Sequence, residues 1–405
     1  MSALAGLKVI DCSTLFAGPT AAMLLGDFGA EIIKIEHPLK GDPVRGHGYK
    51  KNEQSLWWLY ISRNKKSVAI DLNTKEGAEI IMKLIASSDV LIENFRPGTL
   101  EKWGIGPDIL LKHNPRLVIA RVSGFGQEGP YKTRPGFGTL AEAMSGFANL
   151  TGQPDGPPTL PAFGLADAIA GITTAQAIMT SLYALNNKNS EAFGKGQVID
   201  TSLIEPIMMT LGPQALIYDQ LGIKQKRTGN RTENNAPRNT YKTKDNRWLA
   251  ISTSAPSIAE RVMRLVGHPE VLDKPWFKEG RTRAEHADEL DKYLNEWIST
   301  RTSKEVITEF TKAEAAVAPI YDIEDVFSDE HLKARETILE TTDPILGTIR
   351  MQNVIYKLSE TPGSIRWTGR PLGKDTSEVL KVMAGLSDSE LKALESKGVI
   401  ALASS

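Results

Sequence analysis

Cysteine is almost missing from this sequence. Cys12 stands alone among 405 residues, which excludes an internal disulfide framework and suits a reducing compartment. An excess of one charge is missing too: 48 Lys and Arg face 49 Asp and Glu, so no global field draws the chain onto nucleic acid or anionic lipid. Neither nucleic acid nor membrane is expected as a partner. The segment Met1 to Lys8 lacks the basic start and apolar run of a secretory signal, so a cytoplasmic location is the expectation. The most apolar long stretch, Gly164 to Leu185, carries Asp167, Thr173, Thr174, Gln176 and Thr180 and reads as a buried helix rather than a span. The histidines show no metal spacing, and no metal site is expected. There is no Walker loop and no Gly-x-Ser-x-Gly elbow, and the first strand-to-helix turn, Ala17-Gly18-Pro19, lacks the dinucleotide fingerprint. These absences disfavour nicotinamide enzymes, P-loop nucleotidases and serine hydrolases, and no tightly bound cofactor is expected.

What is present is alternation. Residues 8 to 12 read as a strand containing a buried Cys12, followed by a helix from Thr20 to Phe28, a Gly29 stop and a strand from Glu31 to Ile35. The pattern recurs with a strand at Ser67 to Leu72, a Thr74-capped helix to Ala86, and strands at Asp89 to Ile92 and Arg116 to Val122. Such order predicts an α/β fold with a mostly parallel, doubly wound sheet. The length predicts roughly two domains. The expected division is a large domain over 1–200 and 346–405, a linker helix at 201–222, a small α/β domain at 223–319 with a hairpin turning at Asp245-Asn246, and a return linker at 320–345.

Two segments hold candidate chemistry. Glu93 to Gly104 follows a strand and so lies where open sheets bind ligands. There, Arg96 and Lys102 suit phosphates while Phe95 and Trp103 suit a purine face. The bland reading is a loop of solvated charges. In Pro161 to Ile172, Asp167 stands in small or apolar surroundings at the opening of a long helix. A helix-cap reading and a nucleophile reading, in which partial desolvation activates a carboxylate, fit that local sequence equally.

Taken in order, several motifs resemble the class III CoA-transferases, the family of formyl-CoA transferase and carnitine CoA-transferase. They are Asp11 to Pro19, Gly29 to Glu36 with Gly41 to Arg45, Glu93 to Gly104, Gly124-Phe125-Gly126, Gly164-Leu165-Ala166-Asp167, Gly194 to Gln197 and Leu372 to Leu380. The resemblance implies a Rossmann-like large domain and a smaller domain joined by long linkers, in an interlocked homodimer. It implies coenzyme A as substrate and product, Asp167 as covalent nucleophile, and Leu15 and Phe16 near the thioester. It also implies CoA contacts at His37, Ile70, Asn73, Asn94, Phe95, Arg96, Lys102 and Trp103. The stretch Arg134 to Phe137 matches a further contact region, with Phe137 taken as a substrate residue. His37 and Lys102 stand where arginines are found in formyl-CoA transferase, and lysine lacks the bidentate guanidinium fork. Asn234 to Thr240 looks like relatives that pair succinyl-CoA with dicarboxylates, so Arg238 is a candidate for a second substrate carboxylate. Two alternatives remain: an acyl-CoA racemase, which needs a positioned acid and base where Arg134 to Glu142 has no histidine, and a catalytically silent CoA-binding protein.

Overall fold

The computed structural model describes residues 2–403; Met1, Ser404 and Ser405, at the ends of the expected large domain, lie outside the described residues. The chain forms two compact units, one comprising residues up to Ser145, Pro161–Gly212 and Lys333 onward, the other comprising Gly146–Leu160 and Pro213–Leu332.

The first unit is built on parallel strands β1 (Lys8–Asp11), β2 (Glu31–Glu36), β3 (Lys65–Ile70), β4 (Val90–Glu93), β5 (Val118–Ser123) and β6 (Val198–Ser202). They lie in the order β3-β2-β1-β4-β5-β6, and the two-residue strand Ile400–Ala401 runs antiparallel along β3. Pleating explains why the strands read as nearly continuous apolar runs. Val9 is in register with Ile32 and Val90, and Val90 with Val118; this row faces a core with helices α1 (Ala17–Asp27) and the long Leu165–Asn186. The next row, Ile10, Ile33, Leu91 and Ile119, faces the opposite core with α2 (Lys75–Ile85). Each such side chain contributes roughly 1.5–3 kcal/mol on burial.

Thr74 caps α2 by accepting the Gly77 N–H, as its sequence predicts. Lys65 and Lys66 begin β3 two residues earlier than the apolar pattern indicates, because the Lys65 ammonium is buried against Asp11 at 2.9 Å. Cys12 is buried, and burial pushes its thiol well above the usual range. Residues Gly347–Gln352 form a strand that pairs with Ile338–Asp343 in an antiparallel hairpin.

In the second unit a three-stranded antiparallel sheet orders Val317–Pro319, Trp248–Ser252 and Arg238–Lys242, packed by helices that include Ala287–Ile298. The turn at Asp245-Asn246 forms, with Asn246 at φ +62°.

Candidate active site

The strand order reverses between β1 and β4, and the carboxyl ends of two such strands leave a crevice between their diverging connections. That crevice is a cavity of about 510 Å³, lined by Leu15, Phe16, Asn94, Phe95, Arg96, Phe137 and Asp167 among others. Segments far apart in sequence therefore meet at one place.

The turn after β1 is held from three sides. Leu15 adopts φ +63°, a left-handed conformation that costs a residue with a Cβ about 1–2 kcal/mol. Its N–H donates to Asp42 Oδ1 at 3.1 Å, and Thr14 N–H donates to Asn94 Oδ1 at 2.8 Å while Asn94 Nδ2 donates to the Thr14 carbonyl at 2.7 Å. Lys34 Nζ lies 2.9 Å from Asp42 and donates to the Ser13 carbonyl. Burial works to lower the Lys34 ammonium, but Asp11, Asp42 and Glu36 outweigh it and keep it charged. The side-chain amide of Asn94 is thus spent on the turn: it shapes the cavity wall.

Asp167 comes from the first turn of the third of these helices, α3 (Leu165–Asn186). By length and composition this helix could cross a membrane, yet Ala166, Ala170, Thr174, Ile178 and Leu185 are buried and it packs on α1. The cap residue, Gly164, has no side chain with which to bond the first turn. Instead the Ala166 N–H donates to Glu142 Oε1 at 3.1 Å, from the short helix Gly138–Met144. This bond speaks against the capping reading of Asp167, because another residue does that work. Among the described residues no cation pairs with Asp167, and its carboxyl is pushed up to about 6, first by burial and then by the charge of Glu142.

Close backbone approach makes room for the carboxylate. A Cβ on Gly138 would sit 2.2 Å from Asp167 Oδ2, and one on Gly124 would sit 2.5 Å from Gly136 Cα. Gly138→Ala is therefore expected to displace the Asp167 carboxylate, lowering kcat about 10²-fold with little change in melting temperature or in CoA affinity by calorimetry. Wild-type kcat in this variant would remove the steric argument.

The remaining expected site residues lie elsewhere. Asn73, Lys102 and Trp103 line a second depression of about 420 Å³, where Trp103 Nε1 donates to Asn73 Oδ1 at 2.7 Å. Trp103 meets Phe95 edge-on at 5.0 Å, so Phe95 connects the cavity wall to this depression. His37 Nδ1 accepts the Leu39 N–H at 3.1 Å, and its Nε2 lies 3.9 Å from Asp71. The Ile70 side chain is packed in the core at 1% exposure and offers no face to a ligand. Arg238, in the second unit, donates to the carbonyls of Asn230 and Arg231 at 3.0 and 3.1 Å.

Lys132 belongs to the site without belonging to any segment read from the sequence, and Gly138 and Glu142 fall in the stretch Arg134 to Glu142, which the sequence singles out only for lacking a histidine. The signal available for Glu142 is spacing: it lies four residues after Gly138 and so shares its helical face. Arg134 also lines the cavity, its guanidinium carbon 3.6 Å from the Tyr131 ring centroid.

Residues 4–376 match the family model described as CoA-transferase family III. The chain is 41% identical over 405 residues to the succinyl-CoA–L-malate CoA-transferase beta subunit of Chloroflexus aurantiacus, covering 98% of each protein. It is 39% identical over 395 residues to the succinyl-CoA–D-citramalate CoA-transferase of the same organism, covering 97% of each. Among solved structures it is similar to a CAIB/BAIF family protein from Brucella suis, with a TM-score of 0.81 and 28% identity, over 94% of this chain and 99% of that one.

Proposed function

The chain belongs to CoA-transferase family III, and from that premise we propose that it moves CoA from succinyl-CoA to a dicarboxylic acid through covalent adducts on Asp167. The observation that carries the reading is the Asp167 carboxylate itself, which has no cation partner among the described residues, is held partly desolvated and lines the crevice where β1 and β4 diverge.

In the proposed sequence an Asp167 oxygen attacks the thioester carbonyl. The C–S bond breaks, and its electron pair leaves on the CoA sulfur, giving a mixed anhydride. The thiolate then attacks the Asp167 carbonyl carbon, and the donor acid departs as a carboxylate carrying the former Asp167 oxygen. An enzyme–CoA thioester remains. An acceptor carboxylate repeats the two steps in reverse and restores the Asp167 carboxylate. Thioester energy is kept in covalent form throughout, and water must be excluded because it would hydrolyse the anhydride.

A second carboxylate on either acid calls for a cation. Arg96, Lys132 and Arg134 line the cavity that contains Asp167, which supports the dicarboxylate reading, as do the named activities of the Chloroflexus proteins. Arg238 remains a candidate for the same role, and the depression at Asn73, Lys102 and Trp103 is the proposed seat of the adenine end of CoA. In this reading the enzyme works in the cytoplasm as an interlocked homodimer. The exposed Ile172, Met179 and Tyr183 on α3 give apolar surface for such an interface.

The test is chemical trapping combined with a substrate panel. Enzyme incubated with succinyl-CoA and hydroxylamine is expected to carry a hydroxamate on the peptide containing Asp167, located by mass spectrometry. Succinyl-CoA offered to mono- and dicarboxylic acids is expected to yield the dicarboxylate thioesters. Absence of any adduct on that peptide would defeat the mechanism, and a strict monocarboxylate preference would defeat the substrate class.

A further inference from the structure

Glu142 is a buried carboxylate beside the cavity that the transfer as written does not use. It is 2% exposed, on the helix Gly138–Met144, and among the described residues no lysine or arginine forms an ion pair with it. Burying an unpaired carboxylate is costly, and stability alone gives no reason for a charge there: a neutral amide would accept the Ala166 N–H as well. The geometry ties its two ends to two tasks. One oxygen holds the first turn of α3, and the side chain stands close enough to Asp167 for their charges to repel.

We propose that Glu142 is a positioning residue for the transfer: it caps α3 in place of Asp167, and its charge raises the free Asp167 carboxylate in energy relative to the uncharged Asp167 adducts. This rests on Asp167 being the acceptor. When the Asp167 oxygen bonds to the acyl carbon, the C–S electron pair leaves on CoA sulfur, and the negative charge facing Glu142 is gone. It stays gone in the thioester. The repulsion therefore exists in the free enzyme and is relieved in both covalent states, which favours the adducts and makes the carboxylate a more basic nucleophile.

Other charges around Asp167 belong to different arrangements. Arg96, Lys132 and Arg134 line the cavity, where they can meet substrate. Asp200 and Glu205, on the strand and helix packed against α3, line a separate depression with Thr173 and Ala177, farther along that helix. Asp27, at the far end of α1, is paired with Arg63. Glu142, bonded to the N–H of the residue before Asp167, is the charge that adds to burial in raising the Asp167 carboxyl.

Glu142→Gln keeps an oxygen for the Ala166 N–H and removes only the charge. In wild type, kcat/KM for acyl-CoA is expected to fall as the pH drops through about 6, the region in which Asp167 takes up a proton. In Glu142→Gln that acidic limb is expected to move to lower pH. At neutral pH the enzyme–CoA adduct formed from donor alone is expected to fall about three- to ten-fold relative to free enzyme. Glu142→Asp keeps the charge while shortening the reach to Ala166, so its limb is expected to stay closer to wild type even where its melting temperature falls. An unmoved limb and unchanged adduct level in Glu142→Gln would overturn the proposal, as would a limb that follows the hydrogen bond rather than the charge. Asp167→Asn separates the two readings: transfer or adduct formation in that variant would sink the Asp167 mechanism itself, whereas an inactive Asp167→Asn beside a wild-type-like Glu142→Gln would sink only the role of Glu142.

Discussion

Asp167→Ala is expected to lower CoA transfer by roughly 10⁴-fold or more, because both proposed half-reactions pass through a bond to this one side chain. Binding of CoA should survive, since the walls of the cavity come from other segments. Label exchange between a thioester and its free acid measures the first quantity and calorimetry the second. Near-wild-type exchange would end the covalent mechanism. The isosteric Asp167→Asn adds a thermodynamic reading of the same residue. Its carboxyl is pushed from an ordinary 3.8 to about 6, first by burial and then by Glu142, so the folded protein holds the proton more tightly than the unfolded chain does. The charged form therefore costs stability fully above about pH 6. That cost declines as pH falls through this value and is gone below the ordinary carboxylate range. Asp167→Asn should accordingly be more stable than wild type at pH 7.5, by on the order of 2 kcal/mol. The advantage should shrink towards pH 4. A variant that is dead, yet more stable only where the carboxylate would be ionised, is the signature of a group kept for chemistry at the expense of the fold.

Arg63→Ala is the second large effect, and it falls on stability. Arg63 is fully buried; its Nη2 donates to Asp27 Oδ2 at 2.6 Å, its Nε to Asp27 Oδ1 at 3.0 Å and its Nη1 to the Gln352 carbonyl at 2.8 Å. The same carboxylate takes a bond from Asn64 Nδ2 at 2.8 Å. One guanidinium thus fastens the end of α1 to the hairpin returning late in the chain. Removing it leaves Asp27 buried and poorly compensated, a change that costs about 3–5 kcal/mol. The double variant Arg63→Met with Asp27→Leu should recover much of that loss, because the penalty comes from the stranded charge and apolar side chains of similar size remove it. Thermal and urea midpoints of the two variants check this. A loss under about 1 kcal/mol in Arg63→Ala would mean that the pair is relaxed by water.

Much of the scaffold was legible because buried parallel strands must be apolar on both faces. Val9-Ile10, Ile32-Ile33, Val90-Leu91 and Val118-Ile119 announce themselves as runs, and Thr74 announces a helix start. Lys65 did not: lysine reads as solvent-facing, and the nearby Asp11 carboxylate and Pro19 carbonyl make its burial in a strand tolerable. Ile338–Asp343 was missed for a related reason. Of its six residues Glu340, Thr341, Thr342 and Asp343 are polar, and its strand state depends on pairing with Gly347–Gln352.

For the site, the sequence alone determined the parts: an acid in apolar company at the start of a long helix, aromatic and basic residues after a strand, and motifs whose order resembles one family. The local residues around Asp167 left nucleophile and cap level, because both readings require the same residue types, and only the family resemblance pointed to the nucleophile. Tertiary structure brought Glu142 from another helix to the Ala166 N–H, and it placed Asp167 with Leu15, Phe16 and Arg96 around one cavity. It also showed Asn94, a residue of the cavity lining, clamping the Thr14 backbone beside the Leu15 turn. A carboxylate's solvation, its partners and the charge behind it are properties of what packs around it, and those neighbours come from segments that sequence distance keeps apart.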